Sequence, residues 1–391
     1  MPTAAARRAY AGPALFSFGF RPFFLLGAAW AALAVPLWLL SLNYGGSLAL
    51  TRDWHTHEML FGFLAAIVAG FLTTAVPNWT GRMPVIGLPL VGLAGLWIAG
   101  RAAMAAPGFP VQLAAVVDSA FLLVLAAVIW REVLTGRNWR NLPVCGLVSV
   151  LALANVAFHM TRGVWDPAVG ERMAMAVAAV LIALIGGRIV PSFTRNWMRK
   201  QAIAAEPAVF GHVDRAALAL TAAAASTWTA LPATTISGAL LVVAGGANLA
   251  RLARWRGWLT GREPLVWILH LGYGWLGAGL LLIGLSVLDP LVPRTAGVHA
   301  LTAGAIGVMT LAVMTRATRG HTGRPLAADG GTLAIYIAIN TAALVRVAAP
   351  FAGEAQSSAL ALSAMLWTAA FGGFALVYGS MLTSRRLAAA N

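Results

Sequence analysis

Cysteine is almost missing from this chain: Cys145 is the only one in 391 residues. Intrachain disulfides, iron–sulfur clusters and thiolate zinc sites are thereby excluded, and any metal has to be held by nitrogen, oxygen or thioether. Charge is scarce too. Only 10% of residues are charged against 60% hydrophobic, with a mean hydropathy of +0.80, values that no soluble domain of this size shows. No polar stretch is long enough for a separate domain, the longest being about 191–213. A cleavable leader pattern is lacking as well. Basic Arg7 and Arg8 precede a long span without a small-residue cleavage site, so the first helix is expected to be kept.

What is present is apolar sequence in runs of about 20 residues, the length that crosses a bilayer as a helix. Twelve spans are predicted, at 20–42, 56–77, 86–105, 110–130, 141–162, 171–190, 214–231, 234–253, 264–286, 297–316, 330–349 and 357–382. They form one all-α polytopic membrane domain over 1–391. The net charge of +15 follows topology: with both termini in the cytoplasm, 21 of the 27 basic residues lie inside. Only Arg52, Arg101, Arg162, Arg172, Arg294 and Arg346 lie outside. The lipid bilayer, and no nucleic acid, is the partner this charge implies. Of the fifteen tryptophans, Trp79, Trp139, Trp165, Trp197 and Trp258 stand near span ends, as interfacial anchors do.

One register recurs. His57 is followed by Gly62 and then by Thr80-Gly81-Arg82; His299 is followed at the same offsets by Gly304 and Thr322-Gly323-Arg324. A weaker copy has Glu171 as anchor and Thr194-Arg195 as tail, the anchors being 114 and 128 residues apart. Three repeats of four helices, about 14–131, 132–254 and 255–391, are therefore predicted. They run parallel about a pseudo-threefold axis along the membrane normal. The alternative is chance similarity in an alphabet of Ala, Gly, Leu and Val.

The histidines sort by side. His55, His57, His159 and His299 fall at the outer face, His212 and His321 in cytoplasmic loops, and His270 about 10 Å inside the ninth span by helical rise. An ionisable group within a span is costly and usually functional. A low-spin haem takes one imidazole from each side, so His57 and His299 are the preferred axial pair, with His159 and His270 as further metal ligands. On a helix His55, Glu58 and Met59 share a face and His57 points away. His55 with Glu58 or Met59 is then a candidate second metal site or proton path, unless His55 is only an interfacial histidine. Asn155 stands one turn from His159 and can orient its ring or form a structural polar pair. Tyr273, with Gly272 and Gly274 beside it, is a candidate cofactor contact, or a mark of close helix packing. Arg188, after Gly186-Gly187 and before Pro191, can hold an anion or pass protons, or simply snorkel. A second cytoplasmic cation, Arg316, stands at the end of the tenth span.

With these residues the chain resembles the NnrS family of bacterial membrane proteins. The matching pieces are Gly19-Phe20-Arg21-Pro22-Phe23-Phe24, His57-Glu58-Met59 through Gly62, Pro77-Asn78-Trp79-Thr80-Gly81, and Gly186-Gly187-Arg188 through Pro191 and Thr194-Arg195-Asn196. They continue with His270 and Gly272-Tyr273, and with His299 through Met314-Thr315-Arg316 and His321-Thr322-Gly323-Arg324. The pieces run collinearly through all three repeats. The resemblance implies twelve helices, haem and copper, and a part in nitric oxide and nitrosative stress in the bacterial inner membrane. There is a weaker similarity to subunit I of haem–copper oxidases and nitric oxide reductases, whose low-spin haem is held on helices 2 and 10. Helix 6 here offers Glu171, Met173 and Met175 in place of the copper-binding histidine, and helix 7 lacks a histidine pair.

The resulting expectation is a haem b protein, with copper as a second metal, that binds or reduces nitric oxide, with Glu58 and Glu171 passing protons and an electron donor still to be identified. Two other classes remain open: a transporter of a metal, anion or nitrosyl–iron species, and a haem-based sensor or scaffold.

Overall fold

The computed structural model describes residues 10–44, 50–160 and 168–387, so Arg7, Arg8, Arg162 and Trp165 lie outside the described residues. Helices make up the architecture, with no strand among the described residues. We number the long ones α1 (Phe20–Tyr44), α2 (Arg52–Thr80), α3 (Leu88–Ala105), α4 (Val111–Thr135), α5 (Leu142–Met160) and α6 (Val169–Lys200). The rest are α7 (His212–Ala230), α8 (Thr235–Ala253), α9 (Pro264–Leu288), α10 (Arg294–His321), α11 (Gly330–Ala348) and α12 (Gln356–Thr383). Among the described residues, eleven helices are long and apolar enough to cross a membrane. The exception is α7, predicted as a span: it forms, but Asp214, Arg215 and a run of Ala, Ser and Thr keep it below the hydropathy of a spanning helix.

Boundaries depart from expectation where a cap or a stripe of buried residues extends a helix. Thr51 starts α2 earlier than predicted, its hydroxyl accepting from Trp54 N at 3.2 Å. At the other extreme α6 runs on through Pro191, into what reads as a polar loop. Val190, Thr194 and Met198 recur every four residues and are buried, while Arg199 and Lys200 face out. His212 and His321, expected in loops, instead begin α7 and end α10.

The chain divides into two compact units, Met1–Ala174 with Ala317–Pro325 and Phe374–Asn391, and Met175–Arg316 with Leu326–Gly373. The divisions fall inside α6, α10 and α12 and after Pro325. Enclosure by protein distinguishes the spans: 83% of the apolar stretch of α2 is buried and 72% of that of α10, against 28% for α12. In the first unit Arg21 fastens the end of α12, donating to the carbonyls of Leu382 at 2.8 Å and Ser384 at 2.7 Å. These carbonyls have no partner further along a helix, and a guanidinium supplies one.

Both α2 and α10 carry a π-helical stretch in the same register. Glu58–Leu64 begins one residue after His57, and Ala300–Ile306 one residue after His299. Inside each lies the matched glycine, pressed against a neighbour. A Cβ on Gly62 would stand 2.6 Å from Arg101 Nη1 and 2.7 Å from Glu58 Oε2, and one on Gly304 would stand 2.6 Å from the Trp275 ring. The tails match too: Gly81 and Gly323 end their helices in left-handed backbone, φ 70° and 75°, where glycine is least strained. Thr80 and Thr322 each donate to the carbonyl four residues back, at 2.9 and 2.6 Å. The middle copy keeps that last bond, from Thr194 to Val190 at 2.8 Å, but its π-helical stretch, Ile182–Gly186, lies much further from its anchor Glu171.

Substituting Gly62→Ala is expected to lower the thermal unfolding temperature in detergent clearly, while Gly92→Ala, where a Cβ meets nothing within 4 Å, leaves it unchanged within error. Equal effects from the two would remove the packing explanation.

Candidate functional site

The ionisable residues of α2 to α5 come together in the first unit. His57 lies five residues into α2, about 8 Å along it by helical rise. Adjacent residues do not face each other on a helix, but at Glu58, where a π-helical stretch begins, the flexible stem reaches back to His57, Oε1 standing 3.0 Å from Nδ1. His55 stacks on Trp38, centroids 4.1 Å apart and 15° between planes. Met59 packs with Trp30 and Trp38 against Ala34, Leu50 and Trp54.

On its other side His57 meets α4 and α5. Its Nε2 lies 3.0 Å from Asp118 Oδ2 and 3.1 Å from Asn155 Oδ1. The Asn155 amide nitrogen donates to the same Asp118 oxygen at 2.8 Å, and His159 Nε2 lies 2.9 Å from it. Arg101 of α3 joins the two carboxylates, donating through Nη1 to Glu58 Oε2 at 2.5 Å and through Nη2 to Asp118 Oδ1. Trp30 of α1 donates to Glu58 Oε2 at 2.8 Å. The chain thus buries His57, Glu58, Arg101, Asp118 and Asn155, with His159 the least buried member. Burying such charges is costly unless each is paired and hydrogen-bonded, and here every carboxylate oxygen has a partner. Chemically the cluster can hold a proton or a cation among nitrogen and oxygen donors. The liganding atoms of His57, Asp118 and His159 all lie within 4.8 Å of one another.

Asp118 and Arg101 escape a reading that follows histidines. The signal was available: a lone carboxylate inside the predicted fourth span and a guanidinium in the third, each the kind of in-span ionisable group that rarely lacks a role. Asn155, expected to orient the His159 ring or to form a polar pair, places Oδ1 3.1 Å from His57 Nε2 and its amide on the aspartate that faces His159. Glu171 is not brought to the cluster; it pairs with Arg52 at 3.1 Å.

In the second unit the remaining candidates separate. His270 Nε2 bonds the Thr194 hydroxyl at 2.8 Å, and its ring lies edge-on to Trp255. Tyr273 belongs to another network, donating to Asn248 Oδ1 at 2.7 Å and accepting from Arg251 Nη1 at 2.9 Å. Arg251 also pairs with Asp214 at 2.8 Å and donates to the Ala183 carbonyl of the π-helical stretch at 2.8 Å. Gly272 is explained by close packing, since a Cβ there would sit 3.1 Å from Met309 N. Arg188 is exposed, whereas the Arg316 guanidinium lies 3.9 Å over the Phe193 ring. His299 is half-buried, and its Nδ1 donates to the Thr295 carbonyl at 2.8 Å.

Fold and cluster define a polytopic helical membrane protein that holds imidazoles and carboxylates inside its spans. The NnrS protein family matches residues 14–386, nearly the whole chain, and the protein belongs to that family. No curated protein matches it.

Removing Arg101 leaves two buried carboxylates without their shared cation, so Arg101→Met is expected to destabilise the protein by about 3–5 kcal/mol. Thermal and denaturant unfolding in detergent measure this; a loss under about 1 kcal/mol, the range of an exposed pair, contradicts the buried-network account.

Proposed function

We propose that this protein acts at the bacterial inner membrane in the response to nitric oxide, through a haem b held by His299. NnrS membership supports the setting. The observation that carries the haem reading is the bond from His299 Nδ1 to the Thr295 carbonyl. A carbonyl only accepts, so the proton sits on Nδ1 and the lone pair on Nε2. This is the state of a ligating imidazole whose other nitrogen is fixed by a backbone acceptor. Ferrous haem supplies strong nitric oxide binding and one-electron chemistry when present. His299 fits that role as it stands. For His57 to complete the preferred axial pair, its ring would have to give up one of the carboxylates now facing its two nitrogens.

Of the two carboxylates assigned to proton passage, Glu171 is the better placed to exchange protons with water, because its partner Arg52 is largely exposed. Glu58 is locked by Arg101, Trp30 and His57 and holds charge in place. Twelve spans in three four-helix repeats, as in haem–copper oxidase subunit I, with both termini cytoplasmic, complete the proposal. The matched π-helical stretches of α2 and α10 support the repeat of the first and third copies. Copper is the second metal we carry forward, and a donor of electrons is required if nitric oxide is reduced.

A reduced-minus-oxidised spectrum of detergent-purified protein is expected to show a Soret band that shifts on addition of nitric oxide and is lost or displaced in His299→Ala. Folded protein without a Soret band ends the haem reading. Uptake of a metal or anion into proteoliposomes by such protein would favour transport.

A further inference from the structure

Between His57, Asp118, Asn155 and His159 the hydrogen-bond directions leave a gap that needs positive charge. Glu58, an acceptor, faces His57 Nδ1 at 3.0 Å, which puts a proton on Nδ1 and the lone pair of a neutral ring on Nε2. That lone pair then looks at two more acceptors, Asp118 Oδ2 at 3.0 Å and Asn155 Oδ1 at 3.1 Å. The Asn155 amide cannot turn to relieve this without losing its 2.8 Å donation to Asp118. Facing the same Asp118 oxygen is His159 Nε2, at 2.9 Å. Lone pairs this close repel unless a proton or a metal cation stands among them.

From this geometry we infer that His57 Nε2, Asp118 Oδ2 and His159 Nε2 form a binding site for a divalent first-row transition metal ion. Bonds of about 2.1 Å at right angles separate neighbouring ligand atoms by about 3.0 Å, which matches the spacings of both imidazoles from the carboxylate oxygen. Two imidazoles and one carboxylate suit zinc, iron or copper in the divalent state. Calcium and magnesium prefer oxygen throughout, and the softest ions prefer sulfur. Around the ligands stands the support such a site requires. Glu58 orients the His57 ring from its far nitrogen, while Arg101 and Trp30 hold Glu58 and Arg101 takes the other Asp118 oxygen. A carboxylate behind a ligating histidine is the usual means of fixing its tautomer. Three ligands leave further coordination positions for an exogenous group, and the less buried His159 marks the side from which an ion enters. A metal here takes His57 out of the haem pair, and the haem reading then rests on His299 alone.

Cobalt(II) is the probe, titrated into chelator-treated full-length protein in detergent, with bound cobalt per chain measured after gel filtration and zinc as competitor. One equivalent is expected, displaced by zinc and retained in His299→Ala. His159→Gln, at the rim of the cluster, and Asp118→Asn should each abolish stoichiometric binding. Asn155→Ala and Glu58→Gln should keep the stoichiometry while weakening affinity roughly 10–100-fold. No stoichiometric cobalt in the wild type means that a proton fills the gap, and the site is overturned. It is equally overturned if His159→Gln, eluting as a single folded species, still binds one equivalent. Protein that lacks a Soret band yet takes up cobalt in this pattern defeats the haem proposal and leaves this one standing; a Soret band without cobalt does the reverse.

Discussion

Arg101 stands between Glu58 and Asp118 among helices built almost wholly from apolar residues, and the first unit is organised around that one cation. Its guanidinium holds two carboxylates that would otherwise repel each other in a medium of low dielectric. Each carboxylate then offers its second oxygen to an imidazole. Remove the cation and the imidazoles lose their orientation along with the carboxylates. A site of this kind is stabilised as a whole, since no member has a hydrogen-bonding alternative inside a bilayer.

The π-helical stretches lie where the buried clusters are built. Adjacent positions diverge on any helix, so the Glu58 carboxylate reaches His57 by its own flexible stem. Within the stretch Gly62 faces the Arg101 head group, its carbonyl accepting from Trp97 Nε1 at 3.0 Å. In the second unit the middle stretch makes comparable use of a loosened turn, with the Ala183 carbonyl accepting from Arg251. Both units thus seat a buried arginine at or beside a local widening of a helix, although the residues around the two arginines differ.

Much of this was legible beforehand, for reasons that differ by residue. The all-helical membrane character follows from composition alone, and the matched anchors His57 and His299, with Gly62 and Gly304 and the two Thr-Gly-Arg tails, found physical counterparts in π-helical register, close packing and left-handed helix ends. The grouping of His57 with His159 was also within reach, both being placed at the outer ends of their spans. What eluded the sequence was direction. Pairing Glu58 with His55 follows spacing along one helix, whereas the Glu58 carboxylate is held by Arg101 and Trp30 from two others. Asp118 was passed over because a single carboxylate in an apolar run forms no motif; its meaning comes from partners on α2, α3 and α5. Tyr273 and His270, three residues apart, looked like one site and serve two, because their partners Arg251 and Thr194 come from different helices.

The clasp of Arg21 on the carbonyls of Leu382 and Ser384 has a consequence for biogenesis. The first unit includes Phe374 onward as well as the amino-terminal helices, so a segment made late belongs beside segments made early. A ribosome that has delivered α1 to α5 has not yet delivered everything their unit contains. Until that late segment emerges, Arg21 lacks the carbonyl acceptors that α12 supplies, and the early helices hold together without this clasp.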